Sequence, residues 1–96
     1  MKKAVKLFIL GIVQGVFFRA YIKENADRLG LKGYVRNLED GKVEAFIQGD
    51  SDKVNEMIER CRQGPKFSQI KSVEVKEEKL QELNDFLWPD GADNRN

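Results

Sequence analysis

Val5-Lys6-Leu7-Phe8-Ile9-Leu10-Gly11-Ile12-Val13-Gln14-Gly15-Val16-Phe17-Phe18-Arg19 decides the architecture of this chain. Val5 to Val13 is rich in β-branched and large apolar residues, interrupted by Lys6 and Gly11, as expected of a central strand buried on both faces. Gln14 to Arg19 breaks the pattern, with Gly15 supplying backbone freedom. From Phe18 the period changes. Phe18, Ile22, Ala26 and Leu29 fall at helical spacing on one face, while Lys23, Glu24, Asp27 and Arg28 fall elsewhere. Gly30 then stops the helix, as a residue just past a C-terminus often does.

Working outward, Leu31 to Arg36 predicts a second strand and Lys42 to Gln48 a third. Asn37-Leu38-Glu39-Asp40-Gly41 between them is a turn, because Asn, Asp and Gly tolerate positive φ or bond their own backbone. The pair is a hairpin. In its second arm Val43, Ala45 and Ile47 alternate with Lys42, Glu44, Phe46 and Gln48, which defines one apolar face. Gly49-Asp50-Ser51-Asp52 opens a second helix, with Asp50 or Ser51 as its expected side-chain cap. Val54, Met57, Ile58 and Cys61 form its apolar stripe, Arg60 and Arg62 suit its negative end, and Gly64-Pro65 terminates it.

Gln69 to Lys76 predicts a fourth strand with Val73 and Val75 on one face. Ile70 is out of phase with them, so it either precedes the strand or a bulge intervenes. Lys76 to Lys79 is expected to be a solvated connection, and Phe86-Leu87-Trp88 a short fifth strand. The domain is expected over residues 1–88, with 89–96 a polar tail. The order is β-α-β-β-α-β. Right-handed crossovers put both helices on one face of an antiparallel sheet, which is an α+β, ferredoxin-like sandwich. That plan hosts many functions, so the site must decide.

Bulk composition narrows the field. The 96 residues carry 17 basic and 16 acidic side chains, so a dedicated nucleic-acid binder, with its basic excess, is disfavoured. Any anion site must be local. There is no histidine, which removes Ser-His-Asp and Cys-His catalysis and histidine-based zinc sites. The single cysteine, Cys61, permits no intrachain disulfide and fits a reducing cytoplasm. Lys2 and Lys3 before an apolar stretch faintly resemble a signal peptide, but Lys6 and Gly11 interrupt that stretch and it is read as strand. No run is long enough to span a membrane as a helix.

The segment Gly11 to Arg19, from strand through loop to helix N-terminus, is the candidate for an anion site. Backbone N–H groups in a strand-to-helix loop can converge on an anion, and the helix N-terminus adds unpaired donors and the positive end of a dipole. Arg19, in the first helical turn, can reach back toward the same point with a guanidinium suited to phosphate oxygens. The Gly-Lys-Ser/Thr ending of a nucleotide-binding P-loop is missing, so neither a nucleoside triphosphate nor its magnesium is indicated. Spacing alone fits a plain strand–helix turn with a surface arginine as well, and Asn37 alone reads as a turn-former.

Gly11-Ile12-Val13-Gln14-Gly15-Val16-Phe17-Phe18-Arg19 resembles the acylphosphatase signature, Gly-x-Val-Gln-Gly-Val-x-Phe-Arg. Gly33-Tyr34-Val35-Arg36-Asn37, followed by Asp40-Gly41-Lys42-Val43-Glu44, is similar to that family's second block, and Leu29-Gly30-Leu31 and Gly64-Pro65 are in its manner. The similarity runs from about Val5 to Val75 and weakens from Leu80 onward, where only Phe86 and Trp88 follow the family's last strand. The resemblance implies an acyl phosphate hydrolase. Arg19 would bind phosphate together with the backbone of Gln14, Gly15, Val16, Phe17 and Phe18. Asn37 would position the attacking water. It implies no metal, no cofactor and no covalent intermediate. The partners it implies are a small acyl phosphate, with phosphate or sulfate as product or mimic, and neither nucleic acid nor membrane. A cytoplasmic monomer is expected.

Other readings are weaker. Asp40 and Glu44 as general bases are better explained by the turn and the sheet. Cys61 as nucleophile is better explained as a buried small hydrophobe. Phe18 is expected in the core and Phe17 near the mouth of the site. An anion-sensing module that keeps the cradle without turnover stays open. An RNA-binding domain of the same plan would place more aromatics on the third strand than Phe46. A copper carrier would need a Cys-x-x-Cys pair that the sequence lacks.

Overall fold

The computed structural model describes residues 1–82 and 86–87. Its elements are β1 (Lys2–Ile12), α1 (Phe18–Arg28), β2 (Lys32–Asn37), β3 (Val43–Asp50), α2 (Ser51–Gln63), β4 (Gln69–Glu78) and β5 (Phe86–Leu87). The sheet order is β4-β1-β3-β2-β5. β1 runs antiparallel to both β3 and β4, β2 antiparallel to β3, and the short β5 parallel to β2. Trp88 of the expected last strand and the expected tail at 89–96 lie outside the described residues.

The core forms where the apolar face of each element meets the others. Val5, Leu7 and Ile9 of β1, Val35 of β2, and Val43, Ala45 and Ile47 of β3 pack in one cluster with Phe18, Ile22 and Ala26 of α1 and Val54, Met57, Ile58 and Cys61 of α2. Both helices therefore cover the same face of the sheet, as the crossover rule requires. α1 ends in a Schellman arrangement: Gly30 N–H bonds the Asp27 carbonyl at 3.1 Å and Leu31 N–H that of Ala26 at 2.8 Å, with Gly30 at φ 70°.

Several expectations need correction. β1 begins at Lys2, not Val5, and β4 runs through the stretch read as a solvated connection: Lys76, Glu77 and Glu78 pair with Lys6, Val5 and Ala4. Their charges do not oppose pairing, because β4 is an edge strand whose side chains stay largely in water. Val75 is exposed for the same reason, despite its expected place beside Val73. The far face of β3 is closed as well. Phe46 is fully buried with its ring stacked on Tyr34, and Glu44 and Gln48 are buried beside it. Tyr34 and Arg36 of β2 lie over this face and bond Glu44, a cross-strand cover that alternation alone does not reveal. Neither Asp50 nor Ser51 caps α2 through its side chain onto the helix. Asp50 instead pairs with Lys2 at 3.0 Å, and both the N–H and the hydroxyl of Ser51 donate to the Met1 carbonyl, at 2.8 and 3.1 Å.

Ile70 is resolved by a bulge. The β1–β4 register shifts between Leu10 and Gly11, which face Ser72 and Ile70, leaving Lys71 as the extra residue. The insertion turns Ile70 toward the core along with Val73. Gly11 permits it: a Cβ there would lie 2.0 Å from the Gln69 carbonyl oxygen.

Candidate active site

Topology brings the expected site residues to one end of the sheet. β1 and β2 both run antiparallel to β3, so they share a direction and their C-terminal ends lie together. Ile9 and Asn37 both pair with Val43, in one row across three strands. The loop leaving β1 and the N-terminus of α1 stand at this end, next to the turn that Asn37 begins.

The loop itself is bent by two left-handed residues, Gly15 at φ 76° and Phe17 at φ 63°. Glycine adopts that region without penalty, but for phenylalanine it is a strained setting, and such residues concentrate at functional loops. Phe17 is also the N-cap of α1 and supplies no side-chain cap. The first intrahelical bond runs from Tyr21 N–H to the Phe17 carbonyl at 3.0 Å, so the opening turn presents its amides forward, with the positive end of the dipole. Val16 is half-buried against the core, Phe18 is fully buried within it, and Phe17 projects with 64% of its surface exposed. Arg19 is 1% exposed. A guanidinium so deeply set is packed into the fold, unlike the surface arginine that a plain strand–helix turn would carry.

Asn37 closes β2. Its Oδ1 is buried and accepts no hydrogen bond, and it is the one such side-chain atom among the described residues. A buried acceptor without a donor in the protein is costly, which sets this atom apart from the other buried polar groups described.

Gln14 has a part that the sequence did not suggest. Its side-chain Nε2 donates to the carbonyls of Leu38 and Lys42, 2.8 Å to each, so it ties the loop to the β2–β3 turn. No periodicity signals this, because the contact spans 24 and 28 residues.

The weaker candidates fall where the turn, sheet and core readings put them. Asp40 accepts the Lys42 N–H at 3.1 Å within the turn, and this bond, with the lysine charge assisting, holds its carboxyl below the usual carboxylate range. Glu44 is buried in the sheet, receiving Arg36 at 3.0 Å and the Tyr34 hydroxyl at 3.4 Å. Cys61 is fully buried, and desolvation pushes its thiol up to about 12, which leaves no thiolate for attack. Among the described residues no group of three or more His, Cys, Asp or Glu side chains could hold a metal ion, and no helix is long and apolar enough to cross a membrane.

The acylphosphatase family model matches residues 5–87 of this chain. An acylphosphatase from Syntrophobacter fumaroxidans is 52% identical over 77 residues, which are 80% of this chain and 79% of that protein. The solved acylphosphatase from Coxiella burnetii superposes with a TM-score of 0.86 at 32% identity, covering 88% of this chain and 90% of that one. A full-length HypF structure in its phosphate- and nucleotide-bound form matches with a TM-score of 0.84 at 30% identity, covering 90% of this chain but 11% of that one. A ferredoxin-like sandwich of this plan thus has its counterparts among hydrolases of acid anhydrides. The chain belongs to the acylphosphatase family, whose activity is the hydrolysis of small acyl phosphates.

Proposed function

We propose that this chain cleaves the carboxyl–phosphate bond by direct in-line attack of water, with Arg19 and Asn37 as its catalytic residues. Arg19 and the amides of Gln14 to Phe18 hold the phosphoryl group and stabilise charge on its equatorial oxygens. Asn37 holds the nucleophilic water opposite the leaving carboxylate. No strong base is needed. A carboxylate is a good leaving group, the transition state is loose, and a phosphate oxygen of the substrate can take the proton. The observation that carries this reading is the buried, unpartnered Oδ1 of Asn37 at the end of the sheet where the loop and the head of α1 stand. The balanced charge supports action on a small molecule rather than on nucleic acid, and a monomer of the cytoplasm is the setting we propose for it. The domain would end near residue 88, with 89–96 as a tail.

The test is hydrolysis of benzoyl phosphate in EDTA by the wild type, Arg19→Ala and Asn37→Ala, with circular dichroism to confirm folding. Turnover by the wild type is expected, with losses of roughly a hundredfold or more in each folded variant. A wild type that fails to turn over, yet is protected by phosphate against unfolding, would make the chain an anion-binding module instead.

A further inference from the structure

We propose that the Gln14 side chain is a positioning residue for this reaction: its carboxamide sets the distance between the phosphate-holding loop and the asparagine that holds the water. The inference rests on the roles of Arg19 and Asn37 given above. Nε2 carries two hydrogens, and each goes to a different carbonyl of the turn, Leu38 and Lys42. Both carbonyls already have a backbone donor. Gly41 N–H reaches Leu38 O at 3.2 Å, and Leu38 N–H reaches Lys42 O at 2.8 Å. Gln14 occupies the second lone pair of each, so the hairpin closes without it. What Gln14 adds is a tie between two segments far apart in sequence.

The tie is placed where alignment is decided. Leu38 follows Asn37 and Lys42 precedes Val43, and Asn37–Val43 is the last rung of the β2–β3 ladder. Gln14 therefore grips the turn on both sides, one residue beyond the rung that carries the water-holding amide. Its own backbone leads into the loop bent at Gly15 and Phe17. In-line displacement requires phosphorus and water to be held in fixed relation, and a misplacement of about 1 Å can cost on the order of a hundredfold in rate. One half of that relation is set by the loop and the other by the turn, and the Gln14 carboxamide joins them directly.

Gln14→Met keeps the length of the side chain and removes both donors. It is expected to fold, because both carbonyls keep their backbone bonds. It should lose roughly tenfold or more in kcat on benzoyl phosphate while the inhibition constant of inorganic phosphate, which reports the loop alone, moves less than about threefold. In an Asn37→Ala background the same change should cost less than about twofold, since the two residues act as a unit. Gln14→Glu should recover part of its rate relative to wild type as pH falls through about 4 to 5, because a protonated carboxyl regains one O–H to donate. A folded Gln14→Met with wild-type kcat overturns the inference. So does an equal loss in phosphate affinity, or an undiminished loss in the Asn37→Ala background. If Gln14→Met does not fold, the Gln14→Glu profile decides, and a pH-independent ratio to wild type overturns the inference. Wild-type rate in Asn37→Ala alone would instead break the underlying site assignment, and that result involves no Gln14 variant.

Discussion

Asn37 and Gln48 are carboxamides at opposite ends of the same sheet, and their surroundings differ in kind. Gln48, near the end of β3, has a protein partner at both its nitrogen and its oxygen. Its Oε1 accepts the Gln81 N–H at 2.7 Å and its Nε2 donates to the Gln81 carbonyl at 2.5 Å, which extends the sheet by one side chain. Asn37, at the end of β2, keeps a buried oxygen with no donor. The fold satisfies one carboxamide from its own backbone and leaves the other short at the end of the sheet where the proposed site lies. The two should respond to mutation in opposite ways. Asn37→Ala should lower kcat by roughly a hundredfold or more, while thermal unfolding stays near the wild-type midpoint because no protein donor to Oδ1 is lost. Gln48→Ala should leave the rate within about twofold and cost about 1 to 3 kcal/mol, which for a chain of this size lowers the midpoint by some 4 to 8 °C per kcal/mol. Calorimetry and a benzoyl phosphate assay on the same two variants check both halves. A destabilised Asn37→Ala that keeps its activity would erase the distinction.

The same contrast explains what could be read from the sequence. The strand–loop–helix opening, the hairpin and the stripe of α2 are legible because each rests on local period and turn chemistry, and their residues reappear in one core cluster. Arg19 and Asn37 were singled out as candidates through a motif, since periodicity reveals neither the burial of a lone arginine nor an unpartnered amide. The Gln14 tie, the Gln48–Gln81 pair and the capping of α2 by the Met1 carbonyl were not, because each joins segments more than 20 residues apart through polar atoms that leave no hydrophobic pattern. The extension of β4 through its charged end was hidden for a related reason: an edge strand is held by backbone bonds, and its side-chain composition reports the solvent.

The loop offers a smaller test. Phe17 is the one described residue other than glycine with positive φ, and most of its ring is in water. Phe17→Gly should relieve about 1 kcal/mol or more of backbone strain, partly offset by the extra freedom of the unfolded chain, for a net gain of about 0.5 kcal/mol. If the strain serves to hold the amides in place, the phosphate inhibition constant should rise while the unfolding midpoint rises too. A midpoint that falls would mean the exposed ring contributes more to the fold than its setting suggests.

The smallest effect again sets the two ends of the sheet against each other, through Asp40 and Asp50. Both carboxyls lie below the usual range, chiefly by a hydrogen bond, but the donors differ: the Lys42 backbone N–H at the Asn37 end and the Lys2 side chain at the other. A depressed carboxyl stabilises the fold above its unfolded value of about 3.9, and that contribution is lost as pH falls through the folded value. Both contributions should therefore vanish only on the acid side of pH 4. Salt separates them. The lysine ammonium of Lys2 is a solvated charge on a flexible stem, so raising ionic strength to about 0.5 M should move Asp50 back toward its ordinary value. The amide that faces Asp40 is fixed by the turn and carries no net charge, so Asp40 should hold most of its shift. Carboxyl NMR titrations at low and high salt read the two directly. Equal salt sensitivity would show the Lys42 ammonium, 3.5 Å from Asp40, to outweigh the turn's own amide.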